Sequence, residues 1–524
     1  MSVLSSCAPL ASGRRLSTIA GLALSTLAGA LLIWLPPSYA FLCIGLAAIV
    51  IGTLIEPLVG LAAALFLGPF RAYLSALVPS IPAQIGHVFI VLALGSWLAR
   101  SLWRRDVRII PSPLLLVLLT FVGAVLVSLW DATGLARFGL PELVKWVQIV
   151  LICLFVTQHL LEQEAPRRPP FRIHAGERRL RWLLVVIIAV GFFQAGMGIW
   201  QSAIRGEGPD HFEVLDGAFH RAYGTFQQPN PYGGYLGLTA ALALGVAADG
   251  LRSKLAPDDG GSSRSNGRLG PRPDLSTRNS TGLPLAIIAG GAGLAMVVAL
   301  GASWSRGAWM GFAAAAGVIA ISLFRKTGWG LLFGMGLIVA GVGLYVSGFA
   351  PATLTARLGS FLQEIRPEDV RGVLVTDHNY AVIERLAHWQ AAVSMFRHNL
   401  WTGVGFGCYD AAYASFALVN WPIALGHAHN YYLNLAAETG LIGLAAYASL
   451  WAVVFVQTWR VTRRTWGLTR GLAVGLLGAW THITVHHLLD NLYVNNTHFL
   501  IGALFGVLVF IVHHTGKMRP AYDA

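Results

Sequence analysis

Long apolar blocks alternate with short polar stretches over almost the whole chain. A helix needs roughly 20 apolar residues to cross the hydrocarbon core of a bilayer, and most of the blocks are close to that length. Glu56-Pro57 divides one long block, which favours two helices joined by a turn over one kinked helix. The pattern predicts spans at 16–35, 40–55, 56–70, 84–102, 110–130, 143–161, 182–201, 231–250, 283–302, 307–324, 328–348, 431–458, 470–487 and 497–514. The sequence therefore predicts an all-α, polytopic transmembrane helical bundle of about 12–14 spans.

The composition supports a membrane protein and argues against a nucleic-acid partner. Hydrophobic residues make up 55% of the chain and charged residues 12%, which is about half the charged fraction of a soluble domain. The net charge is +13, but the basic residues are clustered between the apolar blocks. With the N-terminus inside, every cluster falls on the cytoplasmic side, as the positive-inside rule requires. The clusters are Arg14 with Arg15, Arg100 to Arg108, Arg167 to Arg181, Arg252 to Arg278, Arg325 with Lys326, Arg460 to Arg470, and Lys517 with Arg519.

The spans divide the chain into four predicted regions. Residues 1–181 contain the N-terminal spans and residues 182–348 the central spans with their arginine motifs. Residues 349–430 form a large external loop, and residues 431–524 contain the C-terminal spans. The cytoplasmic stretch "APDDGGSSRSNGRLGPRPDLSTRNSTG" has no apolar periodicity and predicts a linker.

The external loop contains a predicted amphipathic helix, "YAVIERLAHWQAAVSMFRHNLWTGVGFGCY", followed by a glycine-rich turn. Leu386, Trp389, Val393 and Phe396 recur at helical spacing and share one face. We expect this helix to lie on the bilayer surface or to cover a cavity that opens to it.

Polar side chains gather at the external ends of the predicted spans, where the positive-inside rule does not account for them. Such groups are rare near a membrane unless they are paired or functional. They are Arg221, Arg306, Arg385, His427, His429, Asn430, Glu438 and Asp490.

The arginines each have two interpretations. Arg306, in "SWSRGAW", either ties a helix end to the lipid headgroups or presents a planar fork to phosphate oxygens. Arg221 precedes an irregular stretch rich in Pro and Gly, which is tolerated at this depth only against protein or a water-filled cavity. Arg385 and Trp389 are four residues apart, so they either stack on each other or bind phosphate and sugar.

The histidines are also open to two interpretations. His427 and His429 lie just before a long span. They are either polar anchors at the membrane surface, or one of them is a general base that titrates near neutral pH. His482, His486 and Asp490 recur every fourth residue, and this spacing on one helix face is compatible with zinc. The alternative is a row of polar side chains facing an internal cavity.

These motifs resemble the O-antigen ligase and polymerase family of bacterial membrane glycosyltransferases over roughly residues 190–515. "HNYYLNLAAETGLIG" is similar to the most specific family signature. The stretches "RAYGTFQQPNPYGGYL", "SWSRGAWMGF", "ERLAHWQAAVSMFRHNLWTGVGFGCY" and "HHLLDNLY" stand in the order that the family shows.

The resemblance implies an inverting, metal-independent enzyme without a cofactor. It would act at the external face of the bacterial cytoplasmic membrane, among the membrane lipids. The donor would be a glycan on an undecaprenyl diphosphate carrier. Ligases of the family pass the glycan to a lipid A core, whereas polymerases pass it to another lipid-linked repeat, and the sequence does not separate the two.

The family roles fall on particular residues of this sequence. His429 matches the histidine that precedes Asn in the signature, and Arg221 and Arg306 match the essential arginines. His427 is an additional histidine, so the catalytic assignment between His427 and His429 stays open. The remaining candidates for binding the diphosphate or the rest of the substrate are Arg385, Trp389, Asn430, Glu438 and Asp490, and the resemblance favours no metal.

A transporter or flippase of lipid-linked glycans is the alternative from another class. Transport sites lie near the bilayer midplane between repeated halves of the chain. The sequence has no evident internal repeat, and its polar residues gather at one face instead. This placement favours the enzyme.

Overall fold

The structure is a computed structural model, and it describes residues 36–77, 84–130, 132–162, 175–214, 217–255, 282–324, 326–348, 369–376 and 379–517, with part of 21–30. The chain divides into two compact units, one of Met1–Leu67 with Gln84–Val107 and one of Gly68–Ala83 with Arg108–Ala524. Residues 256–281 of the predicted linker and most of the predicted span 16–35 lie outside the described residues.

The described secondary structure is almost entirely helical, which confirms the all-α prediction. The helices are α1 (Pro37–Ile55), α2 (Pro57–Leu67), α3 (Arg71–Leu77), α4 (Ile85–Trp103), α5 (Pro113–Ser128), α6 (Leu140–Leu161), α7 (Ala175–Ile199), α8 (Pro229–Leu255), α9 (Gly282–Ala302), α10 (Arg306–Leu323), α11 (Thr327–Val346), α12 (Tyr380–His398), α13 (Tyr409–Tyr413), α14 (Tyr431–Arg464), α15 (Gly467–His486) and α16 (Thr497–Lys517). The short strands β1 (Glu213–Val214) and β2 (Phe219–His220) pair antiparallel.

Nine helices among the described residues are long and apolar enough to cross a membrane, so the protein is a multi-pass membrane protein. They are Ile85–Trp103, Leu135–Leu161, Gly176–Arg205, Pro229–Leu251, Leu283–Ala302, Arg306–Leu323, Thr327–Val346, Tyr431–Arg464 and Thr497–Gly516. Phe41–Ile55, Pro57–Leu67 and Pro113–Ser128 are shorter apolar helices. The break predicted at Glu56-Pro57 is confirmed because α1 ends at Ile55 and α2 begins at Pro57. The full number of spans and the four-region division stay predictions.

The second unit has a core in which glycines let helices approach closely. Helix α8 packs against α9 and α15, and α15 also packs against α10. A Cβ added at Gly245 of α8 would lie 2.2 Å from the backbone nitrogen of Gly475 in α15, so no side chain fits there. Small residues at helix interfaces allow this separation in membranes. The C-terminal ends of α9 and α15 and the N-terminal end of α10 lie at the same end of this core, with Gly307 against His486.

Helix α14 is broken at Gly440, whose φ of 62° and ψ of −160° are not helical. The glycine-rich turn fills the break, because the N–H groups of Val404 and Gly405 donate to the carbonyls of Ala437 and Glu438, each at 2.9 Å. Gly403, Gly405 and Gly407 all have positive φ, a region that glycine enters without a steric penalty. The turn therefore does more than return the chain to the membrane, since it is hydrogen bonded into α14.

Helix α12 packs against α13 and α14. Of the predicted face, Leu386 is buried, whereas Trp389, Val393 and Phe396 are half-buried. The centre of the buried face is formed by smaller residues, with Ala391, Ala392 and Met395 packed against Tyr409, Tyr413 and Ala428. The helix is thus fixed over the segment that leads into His427 and His429.

Candidate active site

The His427–His429 segment is held by the first turn of α14. Asn430 is the N-cap of this helix, and its Oδ1 accepts from the backbone N–H groups of Tyr432 at 3.0 Å and Leu433 at 3.1 Å. The N–H of Tyr431 donates to the carbonyl of His487 at 2.8 Å, which ties the start of α14 to the end of α15. His429 has a φ of 52°, an unusual conformation for a residue other than glycine. The segment is therefore shaped by its neighbours, and a direct substrate contact of Asn430 stays a prediction.

His427 is paired with Asp490, which follows α15 in the chain and is buried. Its Nε2 lies 3.2 Å from Oδ1 of Asp490. Burial lowers the pKa of His427, but the hydrogen bond and charge of Asp490 outweigh it and raise this pKa above its ordinary value. Burial raises the pKa of Asp490, but the hydrogen bond and charge of His427 bring it well below its usual range. The pair can therefore hold a proton on His427 beside an ionised Asp490.

His429 lies next to this pair and has the opposite electrostatic character. Its ring centroid is 4.3 Å from that of His427. Burial, and next the positive charge of His427, lower the pKa of His429 to about 3 against the raising effect of Asp490. The Nδ1 atom of His429 is buried and has no hydrogen-bond partner among the described residues. At neutral pH His429 is thus a neutral imidazole with an unpaired ring nitrogen.

Arg385 and His388 of α12 stand on the other side of the histidines. The charge of Arg385 is close enough to lower the pKa of His429, and the ring of His388 lies 6.3 Å from that of His429. Tyr409 donates its hydroxyl hydrogen to the carbonyl of His388 at 3.1 Å, so the 3.0 Å contact between the Tyr409 oxygen and Nδ1 of His388 requires Nδ1–H as the donor. Burial and the charge of His427 lower the pKa of His388 to about 4, which keeps it neutral.

His388 was not among the site residues predicted from the sequence. The signal was available, because His388 is three residues after Arg385 and so shares its side of the predicted helix. Trp389 belongs to a different cluster, with Leu418 and Trp421, and its proposed stacking on Arg385 stays a prediction.

Arg221 joins the start of α8 to the end of α9. Its Nε donates to the carbonyl of Ser303 at 2.9 Å, and its Nη2 donates to Oδ1 of Asn230 at 3.1 Å. The backbone N–H of Ala222 donates to the carbonyl of Ala302 at 2.9 Å. The irregular stretch around Arg221 is therefore packed against protein, as its Pro and Gly residues predict.

Arg306 is the first residue of α10 and is half-buried. Ser305 caps this helix by accepting from the N–H of Ala308 at 3.4 Å. The next residue, Gly307, lies against His486, since a Cβ added there would be 2.5 Å from Cδ2 of that ring. The backbone N–H of Asp490 donates to the carbonyl of His486 at 3.2 Å, so the N-terminus of α10 lies against the end of α15 from which the chain continues to Asp490. A helix N-terminus with an arginine is suited to anions.

Glu438 is buried beneath the glycine-rich turn. Its Oε1 accepts from the backbone N–H of Tyr409 at 3.2 Å. This contact fixes the turn to α14 and gives the carboxylate a structural role. A contact between Glu438 and substrate stays a prediction.

The row of His482 and His486 points into the helix core. Nε2 of His482 lies 3.0 Å from the carbonyl oxygen of Gly234 in α8, and the two histidine rings are 5.5 Å apart. Asp490 is hydrogen bonded to His427 and does not complete this row as a metal site. Among the described residues, the group whose ligand atoms converge is His427, His429 and Asp490.

The structure thus brings together His427, His429, Asp490 and Arg385, and it places Arg306 next to the helix end that carries Asp490. The family model described as O-Antigen ligase matches residues 291–448. No curated protein matches the chain. The matched segment contains Arg306, Arg385, His427 and His429, whereas Arg221 and Asp490 lie outside it. The predicted resemblance is confirmed by this match over residues 291–448.

Proposed function

We propose that the protein is a membrane glycosyltransferase that moves a glycan from an undecaprenyl-diphosphate carrier to an acceptor hydroxyl, in the manner of an O-antigen ligase. The reaction would take place at the external face of the bacterial cytoplasmic membrane. The observation that carries the proposal is the convergence of His427, His429 and Asp490 beside Arg385, where the two histidines and Arg385 belong to the matched segment. A polymerase of the same family would use the same chemistry with a second lipid-linked glycan as acceptor.

In the proposed reaction His429 is the general base. The acceptor oxygen attacks the anomeric carbon from the side opposite the diphosphate, so the configuration inverts. The new C–O bond forms while the bond to the diphosphate oxygen breaks, and the diphosphate leaves with the bonding electrons. The hydroxyl proton goes to a ring nitrogen of His429, which is neutral in the free protein. Bound diphosphate adds negative charge nearby and would raise the pKa of His429, making it a stronger base.

The cationic side chains are proposed to stabilise the leaving diphosphate. Negative charge accumulates on the diphosphate as the glycosidic bond breaks, so fixed cations stabilise the transition state more than the ground state. His427, kept protonated by Asp490, would supply one charge. Arg385, Arg306 and Arg221 would supply others. No metal is needed in this scheme because the arginines and His427 carry the compensating charge.

Deletion of the gene followed by analysis of lipid-linked and surface glycans tests the proposal. Accumulation of intact lipid-linked polymer would support a ligase, whereas accumulation of single lipid-linked repeats would support a polymerase. Unchanged glycans on both the carrier and the surface would refute both. If the gene encoded a flippase, its deletion would instead leave the lipid-linked glycan on the cytoplasmic side of the membrane. External glycosidases do not reach the glycan there in intact cells.

A further inference from the structure

His427, His429 and Asp490 also have the geometry of a metal site. One ring nitrogen from each histidine and one carboxylate oxygen of Asp490 lie within 4.8 Å of one another. The closest pair, Nε2 of His427 and Oδ1 of Asp490, is separated by 3.2 Å. Zinc ligands stand about 2.0–2.2 Å from the ion, so tetrahedral ligand atoms are roughly 3.4 Å apart. Small side-chain rotations therefore suffice to close the three atoms around an ion.

An independent observation also points to a ligand. The Nδ1 atom of His429 is buried and has no hydrogen-bond partner among the described residues, while His427 offers the Nε2 that faces Asp490. Buried polar atoms usually have a partner. The backbone around them is held by the Asn430 cap and by the bond from Tyr431 to His487, so the two rings are presented from a fixed segment.

The ligand set selects the kind of ion. Two imidazoles and one carboxylate suit zinc and its first-row neighbours, whereas Mg²⁺ and Ca²⁺ prefer oxygen ligands only. Three protein ligands leave the fourth position of a tetrahedral ion open. The positive charge of Arg385 is close to His429 and disfavours a divalent cation there. The negative charge of Asp490 is needed to offset this repulsion.

We propose that His427, His429 and Asp490 form a binding site for a divalent transition-metal ion, with Zn²⁺ as the principal ligand, and that the bound ion inhibits glycan transfer. The ion takes up the lone pair that would accept the acceptor proton and separates His427 from Asp490. Metal binding does not depend on the proposed glycosyltransferase function, whereas the inhibition rests on it.

Metal binding is measured on the purified full-length protein in detergent. Titration with Co²⁺ is expected to give one bound ion per chain with the visible absorption of a tetrahedral cobalt site, which Zn²⁺ displaces. His429→Ala and Asp490→Asn are each expected to weaken binding by about 100-fold, since even changes behind the ligands cost 10–100-fold. His398→Ala changes an exposed histidine of α12 and serves as the matched control. Wild-type affinity in both site variants would overturn the site.

A second measurement uses only the wild-type chain, in case a variant does not fold. Zn²⁺ is expected to protect His427 and His429 from diethylpyrocarbonate, with the modified histidines mapped by mass spectrometry. The exposed His398 is expected to react equally with and without the ion. Equal modification of His427 and His429 under saturating Zn²⁺ would overturn the site.

The activity measurement separates the inhibition from the proposed function. Transfer in proteoliposomes is expected to persist in EDTA and to be lost with stoichiometric Zn²⁺, and EDTA is expected to restore it. Full transfer by the zinc-loaded protein would overturn both the inhibition and the role of His429 as base, while leaving the metal site supported. Loss of transfer in EDTA with recovery in Zn²⁺ would overturn the inhibition and the metal-independent scheme together.

Discussion

At the residue scale, two adjacent histidines are given different properties by their surroundings. His427 is hydrogen bonded to the ionised Asp490, which raises its pKa. His429 is buried beside positive charge, which lowers its pKa to about 3. One imidazole is thus suited to carry charge, whereas the other stays neutral and would become an effective proton acceptor only when bound diphosphate raises its pKa.

Replacing His429 with Ala is expected to reduce glycan transfer by about 10²–10⁴-fold, because a general base typically contributes that much. The measurement is single-turnover transfer in proteoliposomes with a lipid-linked donor. His398→Ala, an exposed histidine on α12, is the control and is expected to keep the wild-type rate. Comparable rates in His429→Ala and wild type, with equal folding by circular dichroism, would remove His429 from the mechanism.

Replacing Asp490 with Asn is expected to shift the alkaline side of the pH–rate profile to lower pH. Asp490 raises the pKa of His427, so losing its charge lowers that pKa and His427 loses its proton earlier as the pH rises. Asp369→Asn, an exposed carboxylate of the external loop, is the control. A proportional loss of rate at every pH, with no shift, would assign Asp490 a purely structural role.

Arg306→Lys is expected to slow transfer by roughly tenfold or more, although the charge is kept, because lysine lacks the planar fork that binds two phosphate oxygens. The rate should fall in single-turnover reactions with saturating donor. Arg397→Lys on the exposed side of α12 provides the matched control. Wild-type rates in Arg306→Lys would favour the interpretation of Arg306 as a headgroup anchor.

At the element scale, the break in α14 decides where the site can form. The helix starts at Tyr431, loses its regular geometry at Gly440, and receives the glycine-rich turn in the break. The same turn is fixed by Glu438 and leads directly into α13, whose Tyr409 orients His388. The glycines and Glu438 of the signature thus support the site through the backbone.

Gly440→Ala is expected to destabilise the protein by about 1–3 kcal/mol or more, from strain at a positive φ together with overpacking. A Cβ at Gly440 would lie 2.3 Å from the carbonyl carbon of Trp401. Gly336→Ala in α11 is the control, since a Cβ there meets nothing within 4 Å. Thermal unfolding in detergent measures the difference, and equal transition temperatures for the two variants would contradict the packing argument.

At the scale of the whole molecule, glycine contacts between α8, α10 and α15 set the positions of the helix ends beside the candidate site. Arg470 shows a similar effect at the other end of these helices. It lies in a predicted cytoplasmic basic cluster, yet it is buried, pairs with Asp249 of α8 and donates to the carbonyl of Ser322 at 2.6 Å. From its position in the cluster, Arg470 is predicted to help orient the protein in the membrane. Its contacts show that it also joins α8, α10 and α15.

The sidedness of the membrane topology is tested with single cysteines in a cysteine-free background. Val419→Cys, in the segment between α13 and His427, is expected to react with a membrane-impermeant maleimide in intact cells. Trp466→Cys, between α14 and α15, is expected to react only after permeabilisation, since it lies in a cytoplasmic basic cluster. Both positions are exposed, so accessibility alone does not separate them. The reverse labelling pattern would place the candidate site on the cytoplasmic side.

The order of the helices was largely predictable from the sequence. Apolar runs of membrane-spanning length predict helices in a bilayer, and Glu56-Pro57 predicts the break between two of them. The motifs also predicted the family, and Arg306, His427 and His429 within it. Asp490 was also a candidate, but its pairing with His427 and the role of His388 were not predictable, because the residues involved are far apart in the sequence. Asp490 is far along the chain from His427, and only the contact between the start of α14 and the end of α15 brings the two together. His388 was missed because its neighbours on α13 and α14 are not sequence neighbours.

The sequence by itself determined that this protein is a helical membrane protein with arginines and histidines at one face, since hydrophobic length and charge placement act locally along the chain. Only the tertiary structure decided which histidine carries charge and which stays neutral. Those properties depend on burial and on charges a few ångströms away, and the packing of α12, α14 and α15 supplies both.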